Sequence, residues 1–257
     1  MKPKFLLIAG HGDGDPGATG NVYIESELTR EIAKLVQKEL SQFAEVDIAD
    51  TSKNWYKHIC KQGNSFDFTP YKYVLEFHFN ANKKEATSDG KTKGTEIYIT
   101  TAEKSDTVER EILKGIEGIG FTNRGVKHKN YALINRIKKQ GVSAALLEVC
   151  FIDDIDDMKL YKTKKKEIAV AIAQGIVKGF GLSAVESEGE IEMTKEDVIA
   201  IIEEYEAEKA KAEAGAWAKT AFDKATKKGL LDGSAPKGAV SREMLAVVLN
   251  RLGALDR

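Results

Sequence analysis

Four residues in the first two thirds of the chain could together run hydrolytic chemistry. His11 follows the apolar run FLLIAG, His78 closes YVLEFHFN, Glu25 stands where NVYIESELTR turns helical, and Glu148 lies near the end of AALLEVCFI. Each sits at a strand end or a helix start, where an α/β sheet assembles its site. Two histidines and a glutamate are three N/O ligands for Zn²⁺, with a fourth position left for water, the pattern of a catalytic rather than a structural zinc. Such an ion acidifies water and polarises a carbonyl. A neighbouring unligated carboxylate can then take the water's proton and pass it to a leaving amine. Spacing alone leaves bland alternatives open. A strand-end histidine can be a hydrogen-bonded structural residue, and the glutamate of LLEV can face solvent.

His11 stands in the loop AGHGDGDPGATG, where Gly12, Gly14 and Gly17 spell G-x-G-x-x-G. A phosphate-cradling role does not fit. Asp13 and Asp15 would point negative charge at an anion, Pro16 removes an N–H donor, and PGATGN continues as loop where a helix should open. The glycines instead give the backbone room beside His11. The EF-hand spacing of later acids is absent, so Asp13 and Asp15 are expected to make hydrogen bonds within the loop rather than to hold calcium.

The elements that must position these residues alternate in period. Strands are predicted at Lys4–Ala9, Val46–Ala49, Tyr73–Phe79, Thr95–Thr100 and Ala144–Phe151; several are continuously apolar, as strands covered on both faces should be. Helical periodicity marks Glu27–Leu40, Thr107–Ile119 and Asp157–Phe180. The alternation predicts an α/β fold, a mostly parallel twisted sheet flanked by helices, over residues 1–181.

At Leu182 the composition changes. Residues 182–193 read as an acidic linker, and Thr194 with Asp197 forms a capping box opening a helix towards Gly215. Between Glu186 and Gly215 eleven acidic residues face three lysines, a solvated helix between two modules. Residues 194–257 read as a small all-α domain ending in two amphipathic helices with too few apolar residues for a large core of their own. Met193 is a position from which an internal start would yield that module alone. The apolar stripe of Ile199, Ile202 and Tyr205 needs a surface to cover it, and a second copy of the module would do so, making a homodimer.

Net charge is −1 at pH 7, which gives no case for nucleic acid or a membrane surface as partner, and no apolar run is long enough to span a bilayer. Cys60 and Cys150 read as buried thiols of a reducing compartment. The start, MKPKFLLIAGHG, reads as a first strand and not a signal peptide. The expectation is a protein made in the cytoplasm, for which a substrate outside it would be reached only after another factor releases the protein.

Five ordered segments, GHGDGDPGATG, Glu25, FHFNA, NRGVKHKNYALINR and ALLEVCFI, make Lys4–Gly181 resemble the zinc-dependent N-acetylmuramoyl-L-alanine amidases of the type-3 class, found in phage endolysins and bacterial autolysins. The resemblance implies Zn²⁺ as cofactor, His11, Glu25 and His78 as its ligands, and Glu148 as the catalytic carboxylate. It places Asn80 and the stretch Arg124 to Lys127 along the substrate groove. The implied reaction is hydrolysis of the amide between the lactyl group of N-acetylmuramic acid and L-alanine in peptidoglycan. The implied role is host lysis by a phage endolysin. A sporulation or autolytic amidase, a stem-peptide zinc peptidase, or a non-catalytic wall-binding protein are the rivals. The chain departs from the family in having Asp13 where glycine is usual, no proline before GHG, and a competing Glu27. Glu25 is preferred because the apolar stripe from Leu28 then keeps the family's offset.

Residues Ala216–Leu252 are similar to the helix–loop–helix unit of surface-layer-homology-like and lysin wall-binding modules. That likeness implies a cell-wall-binding domain, whose basic residues Lys219, Lys224, Lys227, Lys228, Lys237, Arg242 and Arg251 would meet anionic secondary wall polymers. His58 is expected in a surface or packing role, His128 in an exposed loop after an NRG turn, and Lys162–Glu167 on a solvated helix face.

Overall fold

In a computed structural model of the protein, described for residues 2–82, 88–182, 199, 202–205, 214–231, 234, 245–246 and 249, the apolar runs become the centre of one six-stranded sheet. In chain order the elements are β1 (Lys4–Ala9), the hairpin strands β2 (Thr19–Gly20) and β3 (Tyr23–Ile24), α1 (Glu25–Leu40), β4 (Glu45–Ile48) and a π-helical turn (Tyr56–Lys61). There follow β5 (Tyr73–Asn80), β6 (Thr95–Ile99), α2 (Thr107–Glu117), β7 (Asn123–His128), α3 (Ala132–Lys138), β8 (Ser143–Phe151) and α4 (Ile155–Phe180). The sheet order is β4-β1-β5-β8-β6-β7. Every pair is parallel except β8 with β6. That single reversal brings the amino-terminal ends of β6 and β7 to the same edge of the sheet as the carboxyl ends of β1, β5 and β8.

The three central strands are apolar throughout because both faces are covered. On one face Phe5, Leu7, Leu75, Phe77 and Leu147 pack with Ile32 of α1, Ile112 of α2 and Ile172 of α4. On the other Leu6, Ile8, Val74 and Leu146 pack with Ile134 of α3, Trp55 and Phe68. Helix α4 starts on Asp154, whose carboxylate accepts the Asp157 N–H at 3.0 Å, and ends on Gly181 in the left-handed conformation.

Two elements depart from expectation. Asn123–His128 is an edge strand and not a turn, so His128 is the exposed end of β7. With one neighbour and a half-solvated surface, NRGVKH carries the polar residues that an edge tolerates and that hide the strand from a hydrophobicity pattern. Cys60 is half-buried rather than buried; both cysteines are free. Residues 162–167 lie on α4 and are exposed apart from half-buried Lys165, which pairs with Glu31.

The β2–β3 hairpin turns through Asn21 and Val22, both with positive φ (50° and 67°), a two-residue loop with the signature of a type I′ turn. Val22 is fully exposed and β-branched, so its left-handed backbone is strained with no packing in return. Val22→Gly is expected to stabilise the protein by about 1 kcal/mol, read as a higher urea midpoint. A midpoint that stays or falls would contradict this account of the turn.

Contacts divide the chain into residues 1–185 and 186–257. In the second unit α5 (Ala216–Lys227) is helical, as are residues 199, 202–205, 245–246 and 249. Ile199, Ile202 and Tyr205 are exposed. The linker beyond Leu182, Met193, the Thr194/Asp197 capping box and most of the last expected helix lie outside the described residues. Among the described residues no helix is long and apolar enough to cross a membrane.

Candidate functional site

The loop after β1 and the start of α1 meet the end of β5 at the edge defined above. His11 Nε2, His78 Nδ1 and Glu25 Oε1 form a triangle with sides of 3.0, 3.2 and 3.2 Å. Three donors of a tetrahedron about 2.0–2.1 Å from a central zinc would stand roughly 3.3 Å apart, so the triangle has nearly that size. Glu27, the competing carboxylate, is exposed and belongs to a different surface, beside Tyr23 and Lys165.

The backbone explains why these three converge. Glu25 is the first residue of α1 and is buried; its Oε2 accepts the Ala18 N–H at 2.7 Å and its Oε1 the Phe79 N–H at 2.9 Å. Arg30, one turn along α1, donates to the carbonyls of Gly10 and His11 at 3.2 and 3.1 Å, while Thr29 donates to Gly10 O at 2.9 Å. His11 itself has φ 61°, a left-handed backbone held by this clamp. The glycines leave the space: a Cβ on Gly10 would lie 2.5 Å from His78 Cε1, and one on Gly17, at φ +70°, would lie 2.6 Å from Glu25 Oε2.

Each histidine turns its other nitrogen to a carboxylate. His11 Nδ1 lies 3.1 Å from Asp15 Oδ2, which Asn54 Nδ2 also holds at 2.9 Å; His78 Nε2 lies 3.1 Å from Glu76 Oε1. If those outer nitrogens carry the protons, both inner nitrogens present lone pairs to one another and to Glu25, an arrangement that a cation stabilises. The donor set therefore fits a divalent metal with N/O preference. Burial opposes charge on both imidazoles, but Glu25 at His11, and Glu76 with Glu25 at His78, outweigh it and push both upward, His78 strongly. Burial likewise opposes ionisation of Glu25, and the two histidines overcome it, holding the carboxyl far below the usual range.

Glu148 pairs in register with His78 across β5 and β8, so the two side chains share a face. They line, with Tyr56 and Tyr131, a cleft of about 380 Å³. Glu148 Oε2 is buried with no hydrogen-bond partner among the described residues, a costly arrangement for a group without a task. Burial pushes this carboxyl up to about 7, against the opposing His78 and with Glu25, Glu96 and Glu76 adding to the rise. Asn80, Arg124 and Lys127 come together one strand further on, around Glu96, beside Glu148 rather than on the metal side.

The loop-local hydrogen bonding expected of Asp15 is present, with Gly17 N–H donating to its Oδ1 at 3.1 Å and His11 Nδ1 at its Oδ2, but the sequence does not announce its role in orienting His11, nor the parts of Asn54, Glu76 and Glu96. Glu76 carried a signal, since in a strand the residue two before His78 shares its face. Glu96 carried none, because its place opposite Glu148 depends on the antiparallel β6–β8 pairing. His58 stacks edge-on against Trp55 and meets Asn64, away from the cleft.

The sequence model described as N-acetylmuramoyl-L-alanine amidase matches residues 6–178. The sporulation-specific N-acetylmuramoyl-L-alanine amidase of Bacillus subtilis (strain 168) is 26% identical over 196 residues, 72% of this chain and 71% of its own length. The probable autolysin PH of Staphylococcus aureus (strain NCTC 8325 / PS 47) is 30% identical over 193 residues, 67% of this chain; the match spans only 39% of that protein. Among solved structures, the catalytic domain of the CD27L endolysin targeting Clostridia Difficile superposes with a TM-score of 0.53 at 21% identity, covering 68% of this chain and 97% of that one, a likeness of fold. With two thirds of its length matched by the family model, the chain belongs to the N-acetylmuramoyl-L-alanine amidase family.

Proposed function

We propose that the protein hydrolyses the amide between the lactyl carbonyl of N-acetylmuramic acid and L-alanine in peptidoglycan, with zinc held by His11, Glu25 and His78. The observation that carries this reading is the close triangle of two imidazoles and a carboxylate beside Glu148, whose Oε2 is buried with no hydrogen-bond partner among the described residues. When bound, zinc supplies a Lewis acid that polarises the scissile carbonyl and acidifies water. Glu148 takes the proton of the attacking water and delivers it to the alanine nitrogen as the carbon–nitrogen bond breaks. Asp15 and Glu76 hold the two imidazoles in the tautomers that leave the inner nitrogens free to ligate. Glu76→Gln or Asp15→Asn is accordingly expected to weaken zinc binding by roughly 10- to 100-fold. Competition against a chromogenic chelator measures it, and unchanged affinity in both variants would remove this positioning role.

Labelling the amino termini created in a digest of purified walls tests the reaction. Alanine as the new terminus is expected; any other residue would move the protein to the stem-peptide peptidases, and none would leave a non-catalytic wall binder. The part after the linker is read as a wall-binding module, supported by the likeness of Ala216–Leu252 to such units, and its partners as peptidoglycan and secondary wall polymers. We read the biological role as host lysis by a phage endolysin, a reading that the fold of the CD27L catalytic domain accompanies. The sporulation-specific and autolytic relatives favour a bacterial wall-remodelling role as the second reading. Expression during phage infection, against expression in uninfected or sporulating cells, separates the two.

A further inference from the structure

Glu96 organises the side of the site away from the metal ligands. Its carboxylate is 2% exposed; Oε2 accepts from Arg124 Nε at 2.6 Å and from Lys127 Nζ at 2.5 Å. Oε1 accepts from Asn80 Nδ2 at 3.0 Å and from Tyr98 OH at 2.7 Å. One buried anion thus fixes two cations, and the cluster keeps one uncompensated positive charge. Burial would raise the carboxyl, but Lys127, Arg124 and Tyr98 hold it below the usual range, so it stays ionised and keeps both cations in place.

The donors of those cations are far from exhausted. Arg124 is pinned through Nε, with its guanidinium 4.9 Å over the Phe151 ring. Its Nη1 makes only a long 3.4 Å contact to Lys93 O, and Nη2 has no hydrogen-bond partner among the described residues. Lys127 uses one of three protons. Both side chains are more than a third exposed. A fixed guanidinium with open terminal nitrogens, beside an ammonium, is a geometry that matches a carboxylate. Its location is equally specific, because Glu96 faces Glu148 directly across β6 and β8. The cleft on the metal side instead carries the carboxylates of Asp15, Glu76 and Glu148 with the aromatic rings of Tyr56 and Tyr131, and no lysine or arginine lines it.

We propose that Arg124 and Lys127 form a subsite that reads a carboxylate on the peptide side of the substrate, with Glu96 positioning both. The inference rests on the amidase reading and assigns the direction of the substrate: peptide over β6 and β7, glycan towards Tyr56 and Tyr131. The relevant acid is the one nearest the scissile bond, the α-carboxyl of the stem residue after alanine. A wall in which that group is amidated loses the charge and keeps the shape.

The test compares two wall preparations that differ only in whether this α-carboxyl is free or amidated, scored by release of alanine amino termini with the full-length zinc enzyme. The native protein is expected to favour the free acid by about tenfold, mainly through apparent KM. Arg124→Gln and Lys127→Gln should each erase most of that preference with kcat within about twofold and zinc content unchanged. Each leaves Glu96 one cation, so neither strands it as an unpaired buried charge. Arg124→Lys, which keeps the charge and loses the fork, should restore part of the preference. Equal cleavage of the two walls by the native enzyme, or a preference that survives both glutamine variants, overturns the subsite and leaves the amidase reading standing. Release of alanine termini from neither wall removes the amidase reading and the subsite with it.

Discussion

Alanine in place of His78 is expected to abolish both metal binding and hydrolysis. Among the described residues only three side chains converge on the candidate zinc position, and His78 supplies the Nδ1 that faces the other two at 3.2 and 3.0 Å. A zinc site with two protein ligands left binds far more weakly. The purified variant should carry less than about a tenth of an equivalent of zinc after dialysis. His78→Gln, which fills more of the ring's space, guards against a folding defect and should show the same loss with an unchanged circular dichroism spectrum. Full zinc occupancy in both variants would take His78 out of the ligand set.

Glutamine at position 148 separates binding from catalysis. The substitution keeps the size and removes the proton acceptor, so turnover should fall by roughly 100-fold or more while one zinc stays bound. Loss of zinc would make Glu148 a ligand; unchanged turnover would assign the proton to another base. The pH dependence carries the same signature. Burial pushes the carboxyl up to about 7, with His78 opposing and Glu25, Glu96 and Glu76 reinforcing. A base must be ionised, so activity depends on the deprotonated fraction. It should climb by about tenfold per pH unit below the carboxyl's ionisation and level off above it, at a point that the charge of bound zinc pulls below the metal-free value. The rise should vanish from the residual activity of Glu148→Gln.

How much of this was legible in the sequence follows from what each residue touches. Strands such as KFLLIA and SAALLEVCF announce themselves because both their faces are buried, and apolar continuity is a local property. NRGVKH does not, because an edge strand with one partner carries Arg and Lys whose roles depend on Glu96, 28 and 31 residues away in the chain. Helix α3 is seven residues long, too short for a helical period to stand out, although it covers one face of the sheet. His11, Glu25, His78 and Glu148 could be named as a group because each sits at a strand end or helix start within an ordered family pattern. Their supporting residues could not. Asn54 reaches Asp15 from the loop just before a π-helical turn that no pattern marks, and Glu96 becomes part of the site only through the one antiparallel pairing in the sheet.

The central claim is that one zinc in the His11–Glu25–His78 cluster is what makes this chain an amidase. The most direct measurement follows zinc content and the release of alanine amino termini from purified walls in the same samples, as a chelator is titrated in and zinc is then added back. The account predicts one equivalent of zinc at the start, activity that falls in proportion to zinc removed, and recovery of both on restoring about one equivalent. Hydrolysis that persists in protein stripped of metal would contradict it.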